Sequence, residues 1–310
     1  MLLALDSATL YYRAFHSLPE SLTAPDGTPH NAVRGFLSTV SRLAAMHRAT
    51  ALAAAWDVDW RPQWRVDLLP QYKAHRVAEE ATDEDEPAPD DTPPGREVGM
   101  PENLGPQVEG LADLLRAGEC PVVGAEDFEA DDIVASIAAQ QECIVVSGDR
   151  DLVQVVDDRV RLHLSVNGGL EKWPLLDPAG VVDRFGVPPT SYVDLAVLRG
   201  DPSDGLAGVP GIGAKTATTL LAEYGTVSAL LDAARAGAGR PLTPRLSANL
   251  LDSSDYLQRA LVVATARRDA PLPTTFGVPR DTHEARNIAR DWGVERAWSD
   301  LCAVFATVGR

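Results

Sequence analysis

The stretch Phe128-Glu129-Ala130-Asp131-Asp132-Ile133-Val134, with Cys143-Ile144-Val145-Val146-Ser147-Gly148-Asp149-Arg150-Asp151-Leu152 close behind it, decides the fold. The first part reads as a helix start. Glu129, Asp131 and Asp132 fall in the first turn, where carboxylates face the positive end of the helix dipole, and Ile133, Val134 and Ile137 supply the apolar side. The second part is a short β-branched run, the kind buried in a parallel sheet, ending in a Gly-Asp turn. Sites in open α/β sheets form outside the carboxyl ends of strands. Carboxylates gathered at a strand end and a neighbouring helix start repel unless a cation lies between them, and an all-oxygen donor set suits Mg²⁺ or Mn²⁺. Taken singly, each part reads more readily as a helix cap and a turn than as a site. Convergence with other carboxylates is what favours a site.

Those carboxylates lie upstream. Residues 1–6 read as a buried strand ending in Asp6, which also suits an N-cap for the helix over 7–18. An amphipathic helix over 31–48 follows, then a second apolar strand over 50–56 ending at Asp57. Residues 60–76 mix Arg61, Trp64, Arg65, Tyr72, Lys73, His75 and Arg76. Such a cluster can neutralise phosphates and stack on bases, or form a solvated helix face. Residues 77–103 are acidic and proline-rich, a composition that predicts disorder in the isolated protein. Helix and strand patterns resume at 105–117, 121–123 and 160–173, so the run is an excursion within a domain. The alternation of β and α to about residue 185 predicts a doubly wound, mainly parallel sheet.

After that the strands stop. A helix over 191–199 leads into Gly200-Asp201-Pro202-Ser203-Asp204 and then Gly208-Val209-Pro210-Gly211-Ile212-Gly213-Ala214-Lys215-Thr216. Glycines permit a tight hairpin, and the amides of the following helix start, with Lys215, can hold a phosphate. The loop is no Walker A motif, because Ala214 stands where the lysine belongs. A helix–hairpin–helix grip on a nucleic-acid backbone fits, with a plain helix–helix turn as the alternative. Helices over 220–231, 242–251 and 256–265 complete a small helical domain. A tail from 271 packs back as one helix over about 283–306.

The 310 residues allow one large or two smaller domains, and 45% apolar with 24% charged residues is ordinary for a globular protein. The net charge of −17 argues against nucleic acid if spread evenly, but much of it sits in the run from Glu79 to Asp91. Cys120, Cys143 and Cys302 are odd in number and in no metal spacing, as expected of a reduced cytoplasmic chain. The amino terminus lacks a basic segment and Asp6 interrupts its apolar run, so no signal peptide is expected, and no apolar run approaches membrane-spanning length.

Taken in order, Leu5-Asp6, Tyr12-Arg13-Ala14-Phe15-His16, Trp56-Asp57, Tyr72-Lys73-Ala74-His75-Arg76, Glu129-Ala130-Asp131-Asp132, Gly148-Asp149-Arg150-Asp151-Leu152, Gly200-Asp201-Pro202-Ser203-Asp204 and the hairpin 208–213 resemble the 5′-nuclease (flap endonuclease) family. The likeness is to the bacterial 5′-nuclease domain that precedes DNA polymerase I, here without a polymerase, and it covers about residues 1–270. It implies a PIN-like α/β core over 1–185, with an arch and its acidic insertion at about 60–104. It implies a helix–hairpin–helix DNA-binding domain over 186–270 and a tail over 271–310. The implied activity is 5′ exonuclease and flap endonuclease hydrolysis of DNA phosphodiesters by a two- or three-metal mechanism, in replication and repair. By the same resemblance Asp6, Asp57, Glu129, Asp131, Asp132, Asp149, Asp151, Asp201 and Asp204 would hold two or three Mg²⁺ or Mn²⁺ ions. Lys73 and Arg76 would clamp the scissile phosphate and Tyr72 would stack on a terminal base. Arg13, Arg65, Gly208, Val209, Gly211, Ile212, Gly213, Lys215 and Thr216 would contact DNA, with K⁺ at the hairpin. The implied partners are DNA with 5′ ends, flaps or gaps and RNA primer–DNA hybrids, bound by a cytoplasmic monomer with no membrane contact. A non-catalytic flap- or junction-binding protein and a PIN-type ribonuclease are the alternatives. The chain departs from the family at Gly205, where Asn is usual, at Pro202, where Ser is usual, and at Arg34, where Tyr is usual.

Overall fold

The computed structural model describes residues 1–78 and 100–308; the acidic run of residues 79–97 lies outside them. Six strands form one sheet: β1 (Leu2–Asp6), β2 (Ala51–Ala55), β3 (Val122–Val123), β4 (Cys143–Ser147), β5 (Val160–Leu164) and β6 (Leu175–Leu176). Their order is β3-β2-β1-β4-β5-β6. Every pair is parallel except β5–β6 at the edge. β1 is central, with Ala4 opposite both Ala53 and Val145. The order reverses between β1 and β4, which opens a crevice at their carboxyl ends.

Burial on both faces explains the unbroken apolar runs. Leu3, Leu5, Leu52, Ala54, Ile144 and Val146 point to one face, under α1 (Ser7–Ser17), α2 (Asn31–His47) and α5 (Gly105–Ala117). Leu2, Ala4, Ala53, Ala55 and Val145 point to the other, under α6 (Ala130–Gln140). Two short helices, α3 (Gln63–Leu68) and α4 (Ala74–Ala78), follow β2, and α7 (Pro178–Phe185) follows β6. The 160–173 stretch, which supplies strand-like residues in the sequence, holds β5 and then a 3₁₀ turn over Leu170–Lys172.

The helical part comprises α8 (Tyr192–Arg199), α9 (Ala214–Tyr224), α10 (Val227–Arg235), α11 (Pro244–Asp252) and α12 (Ser254–Ala264). Its apolar residues, among them Leu198, Leu220, Leu257 and Val263, join the α6-side core without a break. The expected single tail helix is two, α13 (His283–Asp291) and α14 (Glu295–Val308). Gly293, at φ +62, makes the break. Both helices lie on the opposite core, where Trp298 is 1% exposed and packs with Leu301 and Phe305. Gly118 makes room for this ring: a Cβ there would stand 2.2 Å from it. Among the described residues no helix is long and apolar enough to cross a membrane.

Trp298→Ala leaves a hole between α14 and the sheet's back layer. The expected loss is about 3–5 kcal/mol, read as a lower denaturation midpoint in urea. An unchanged midpoint would show that α14 carries no part of the core.

Candidate metal and phosphate site

A cleft of about 750 Å³ opens at the carboxyl ends of β1, β2 and β4. Asp6, Asp57, Glu129, Asp131, Asp149 and Asp201 line it, with Arg13, Lys73, Arg76 and Arg150 as the cations. Each acid is placed by local geometry. Asp6 ends β1 and caps α1, accepting from Thr9 N at 3.2 Å and from the Thr9 hydroxyl at 2.5 Å. The Ser147 hydroxyl at the end of β4 donates to Asp6 at 2.5 Å and accepts from Asp149 N at 2.9 Å. Asp57, just past β2, accepts from Ala130 N at 2.7 Å, the first amide of α6. Asp149 Oδ1 accepts from Asp151 N at 2.8 Å, which closes the Gly-Asp-Arg-Asp turn. Ser147 and Thr9 were not foreseen as site residues, although the Asp6-x-x-Thr9 spacing is an N-cap signal.

Asp131 and Asp132 are neighbours that face opposite ways. Asp131 lines the cleft. Asp132 is fully buried and receives Arg65 Nη1 at 3.0 Å and Nη2 at 2.7 Å. It also accepts from Glu129 N at 3.1 Å and Arg267 N at 2.7 Å. The expectation that Asp132 binds metal is therefore corrected: its oxygens are occupied and it stands behind the cleft. Its place three residues after the N-cap Glu129 is a capping-box position, a signal present in the sequence.

Two cationic and aromatic assignments change with it. Arg65 is 3% exposed, lies 3.2 Å from Glu129 and donates through Nε to Val263 O at 3.1 Å, so DNA does not reach it. Tyr72 is 4% exposed and its hydroxyl donates to both Glu129 oxygens at 3.0 Å, so no base can stack on it. Tyr12, half-buried and lining the cleft, is the aromatic ring in reach. Arg13 lines the cleft but donates to the carbonyls of Val166 and Gly168 and lies 4.9 Å over Trp173, which makes it a clamp on that loop. Lys73 meets Glu129 at 2.6 Å and keeps its place on the cleft wall. Arg76 reaches Ser203 O at 3.5 Å.

Asp151 and Asp204 sit below the cleft, around a cavity of about 20 Å³ that also touches Glu129 and Asp131. In the hairpin, Gly208 N donates to Tyr256 Oη and Val209 N to Leu198 O, while Val209 and Ile212 are buried. Those two residues hold the hairpin. Gly211, Gly213 and Lys215 are its exposed positions, with Thr216 half-buried. Asn249 Nδ2 donates to Pro210 O at 2.7 Å and steadies its tip.

The electrostatics divide the acids into two groups. Glu129 and Asp132 face Arg65 and Lys73. Burial pulls the Lys73 ammonium down, but Glu129, with Tyr72 and Asp204 behind it, outweighs burial and holds it well above its ordinary range. Of the other cleft acids, Asp201 has Arg199 at 3.2 Å, while Asp6, Asp57, Asp131 and Asp149 have no cation within ion-pair distance among the described residues. Burial raises Asp57 to about 7, opposed by the Ala130 amide and Lys73 and reinforced by Asp6 and Glu129. Burial and Asp204 raise Asp149 to about 6, and burial with Asp149 raises both Asp131 and Asp151. Closely set, partly protonated carboxylates in an open cleft are a donor set that fits hard divalent cations. Among the described residues no three acidic, imidazole or thiol groups close on a single point as a preformed cage.

Two outcomes follow. Arg65→Met strips the partner from two buried carboxylates, and the expected loss of stability is about 3–5 kcal/mol by urea denaturation; a loss within error would show that water already screens the group. Asp57 holds its proton to about 7 when folded but only to its ordinary 3.8 when unfolded. The folded state binds more protons between those values, so the group's share of stability is present below about pH 4 and is lost as pH rises through about 7. In chelator, Asp57→Asn should melt above the parent at about pH 8 and level with it near pH 4. A difference independent of pH would contradict this.

The described relationships agree with the geometry. The model of a 5'-3' exonuclease N-terminal resolvase-like domain matches residues 1–186, and that of a 5'-3' exonuclease C-terminal SAM fold matches 187–283. The chain is 43% identical over 315 residues to a 5'-3' exonuclease of Mycobacterium tuberculosis, covering 97% of this chain and 96% of the relative. It is 44% identical over 298 residues to one of Streptomyces coelicolor, covering 94% and 95%. In fold it resembles a bacteriophage T5 D15 flap endonuclease, solved with DNA and metal ions, at a TM-score of 0.67 and 18% identity over all of this chain and 99% of that one. With both family models in tandem over most of its length, the chain belongs to the 5'-3' exonuclease family.

Proposed function

We propose that the protein is a metal-dependent 5′ nuclease that cuts DNA at 5′ ends, gaps and flaps. The observation that carries the reading is the cleft itself, with the half-buried carboxylates of Asp57, Asp131 and Asp149 gathered on its floor and Lys73, Arg76 and Arg150 on its walls. Nucleic-acid phosphate carries the negative charge that a cationic wall attracts, and it can approach the acids only with cations between. Asp57, Glu129, Asp131, Asp149 and Asp201 are the residues that would hold Mg²⁺ or Mn²⁺, with Asp6 orienting the β1–β4 edge and Asp151 and Asp204 supporting from below. Divalent ions bound there would lower the pKa of water and offset charge on the phosphate.

The chain's own groups do the positioning. Lys73 has three donors; Glu129 takes one, and Trp60 O lies at 3.5 Å from the ammonium, which leaves capacity toward the cleft. Arg76, on the same wall, orients a second phosphate oxygen. Tyr12 offers a ring face to a base near the cut. The hairpin's exposed Gly211, Gly213 and Lys215, with the uncapped amides at the start of α9, would hold the duplex backbone away from the cleft. K⁺ among its carbonyls, action on primer hybrids, work in replication and repair, and a cytoplasmic monomer belong to the same reading. The three cysteines, all free thiols, support the compartment.

A 5′-labelled flap duplex incubated with Mg²⁺, Mn²⁺ or chelator tests this directly. Cleavage near the junction should require a divalent ion and vanish in Asp149→Asn. Lys73→Met should slow single-turnover cleavage about 10²–10³-fold with binding retained. Tight binding without cleavage in either metal would instead favour a non-catalytic junction binder, and preferential cutting of single-stranded RNA a ribonuclease.

A further inference from the structure

Gly205 ends the turn that carries Asp201 and Asp204, at φ +71. Its backbone lies against the segment that carries Tyr72 and Lys73. A Cβ at 205 would stand 2.1 Å from Gln71 O, 3.0 Å from Gln71 C and 3.4 Å from Lys73 N. These are main-chain atoms, which cannot swing aside as a side chain can. The Gln71 carbonyl is also fixed within its own turn by Ala74 N at 3.2 Å. Beside this contact Lys73 N donates to Asp204 O at 3.2 Å. Lys73 itself has φ +49, a left-handed conformation that a lysine adopts only when held. From the other side Arg61 donates to Tyr72 O at 2.7 Å and Pro70 O at 3.0 Å. The turn over 201–206 is closed in turn by Leu206 N to Asp201 O at 2.8 Å and Asp201 N to Leu206 O at 3.0 Å.

We propose that Gly205 is a positioning residue for Lys73: the missing side chain lets the acidic turn dock on the 70–73 segment, and this docking sets where the Lys73 ammonium stands in the cleft. The inference rests on the nuclease reading given above. It assigns a reason to glycine at a position where other residue types would be expected to cap or bond. Any side chain there must push apart the wall that holds Lys73 and the turn that holds two of the acids. Displacement by about 1 Å at such a place costs on the order of 10²-fold in rate.

The test is single-turnover cleavage of a flap duplex at saturating enzyme, with binding measured separately in chelator. Gly205→Ala should lower the rate about 10²-fold while leaving DNA affinity unchanged. Gly225→Ala is the control: Gly225 has φ +79 and ψ −50, a conformation that also strains an L side chain, but nothing within 4 Å of its would-be Cβ, so it bears a backbone penalty without a close approach. It should cleave as the parent does. Combined with Lys73→Met, Gly205→Ala should cost little more than Lys73→Met alone, because both act through one group. Parental rates in Gly205→Ala, or losses that add fully in the double variant, would overturn the proposal. If Gly205→Ala does not fold, Arg61→Met releases the other side of the same segment, and parental turnover in that variant would overturn it equally. Failure of the parent to cut any flap would sink the nuclease reading; an active parent with an indifferent Gly205→Ala sinks only this inference.

Discussion

The buried guanidinium of Arg65 is the interaction on which the rest depends. It joins three parts of the chain: α3 by its own backbone, the start of α6 through Asp132 and Glu129, and the end of α12 through the Val263 carbonyl. At an effective dielectric of about 20 each close ion pair is worth roughly 4–6 kcal/mol, while removing each ion from water costs several. Those terms nearly cancel. The network therefore adds little net stability, but any arrangement that separates its members strands a charge in the core. Its effect is to fix where α6 begins relative to the helical part.

That fixed point explains how the cleft holds so many like charges. Asp132, held by Arg65, lies inward, Glu129, held by Arg65 and Lys73, stands at the cleft wall, and Asp6, Asp57, Asp131 and Asp149, with amides, hydroxyls and one another for company, lie on the open side. The repulsion among the second group is balanced by the two apolar cores, one on each face of the sheet, rather than by local partners. The fold thus keeps its unneutralised charge where ions from solution can reach it.

Much of this was legible in the sequence. The runs 2–6 and 143–147 and the acids at their ends read directly as strands and an edge, because burial on both faces leaves no polar alternation to confuse them. The hairpin at 208–213 was also plain from its glycines. Asp131 and Asp132 were not separable by composition: adjacent positions on a helix point about 100° apart, and only the partner 67 residues away decides which faces the cleft. Tyr72 and Arg65 belonged to an aromatic–basic cluster that looked exposed, and they are buried because Glu129 draws both inward. The break at Gly293 carried the ordinary signal of a glycine after a helix end, and it was overlooked within a strongly periodic stretch.

The seat of α14 on the sheet's back layer has a consequence for how the chain is made. β1 leaves the ribosome long before the ring of Trp298, which closes over Gly118. At about 5–20 residues per second the interval is roughly 15–60 s. Throughout it the outer side of α2 and α5 is an open apolar flank, a surface that chaperones recognise and that other nascent chains can stick to. The helix layer that backs the sheet thus stays uncovered until α14 has been made, so the acidic residues emerge well before the scaffold behind them is finished.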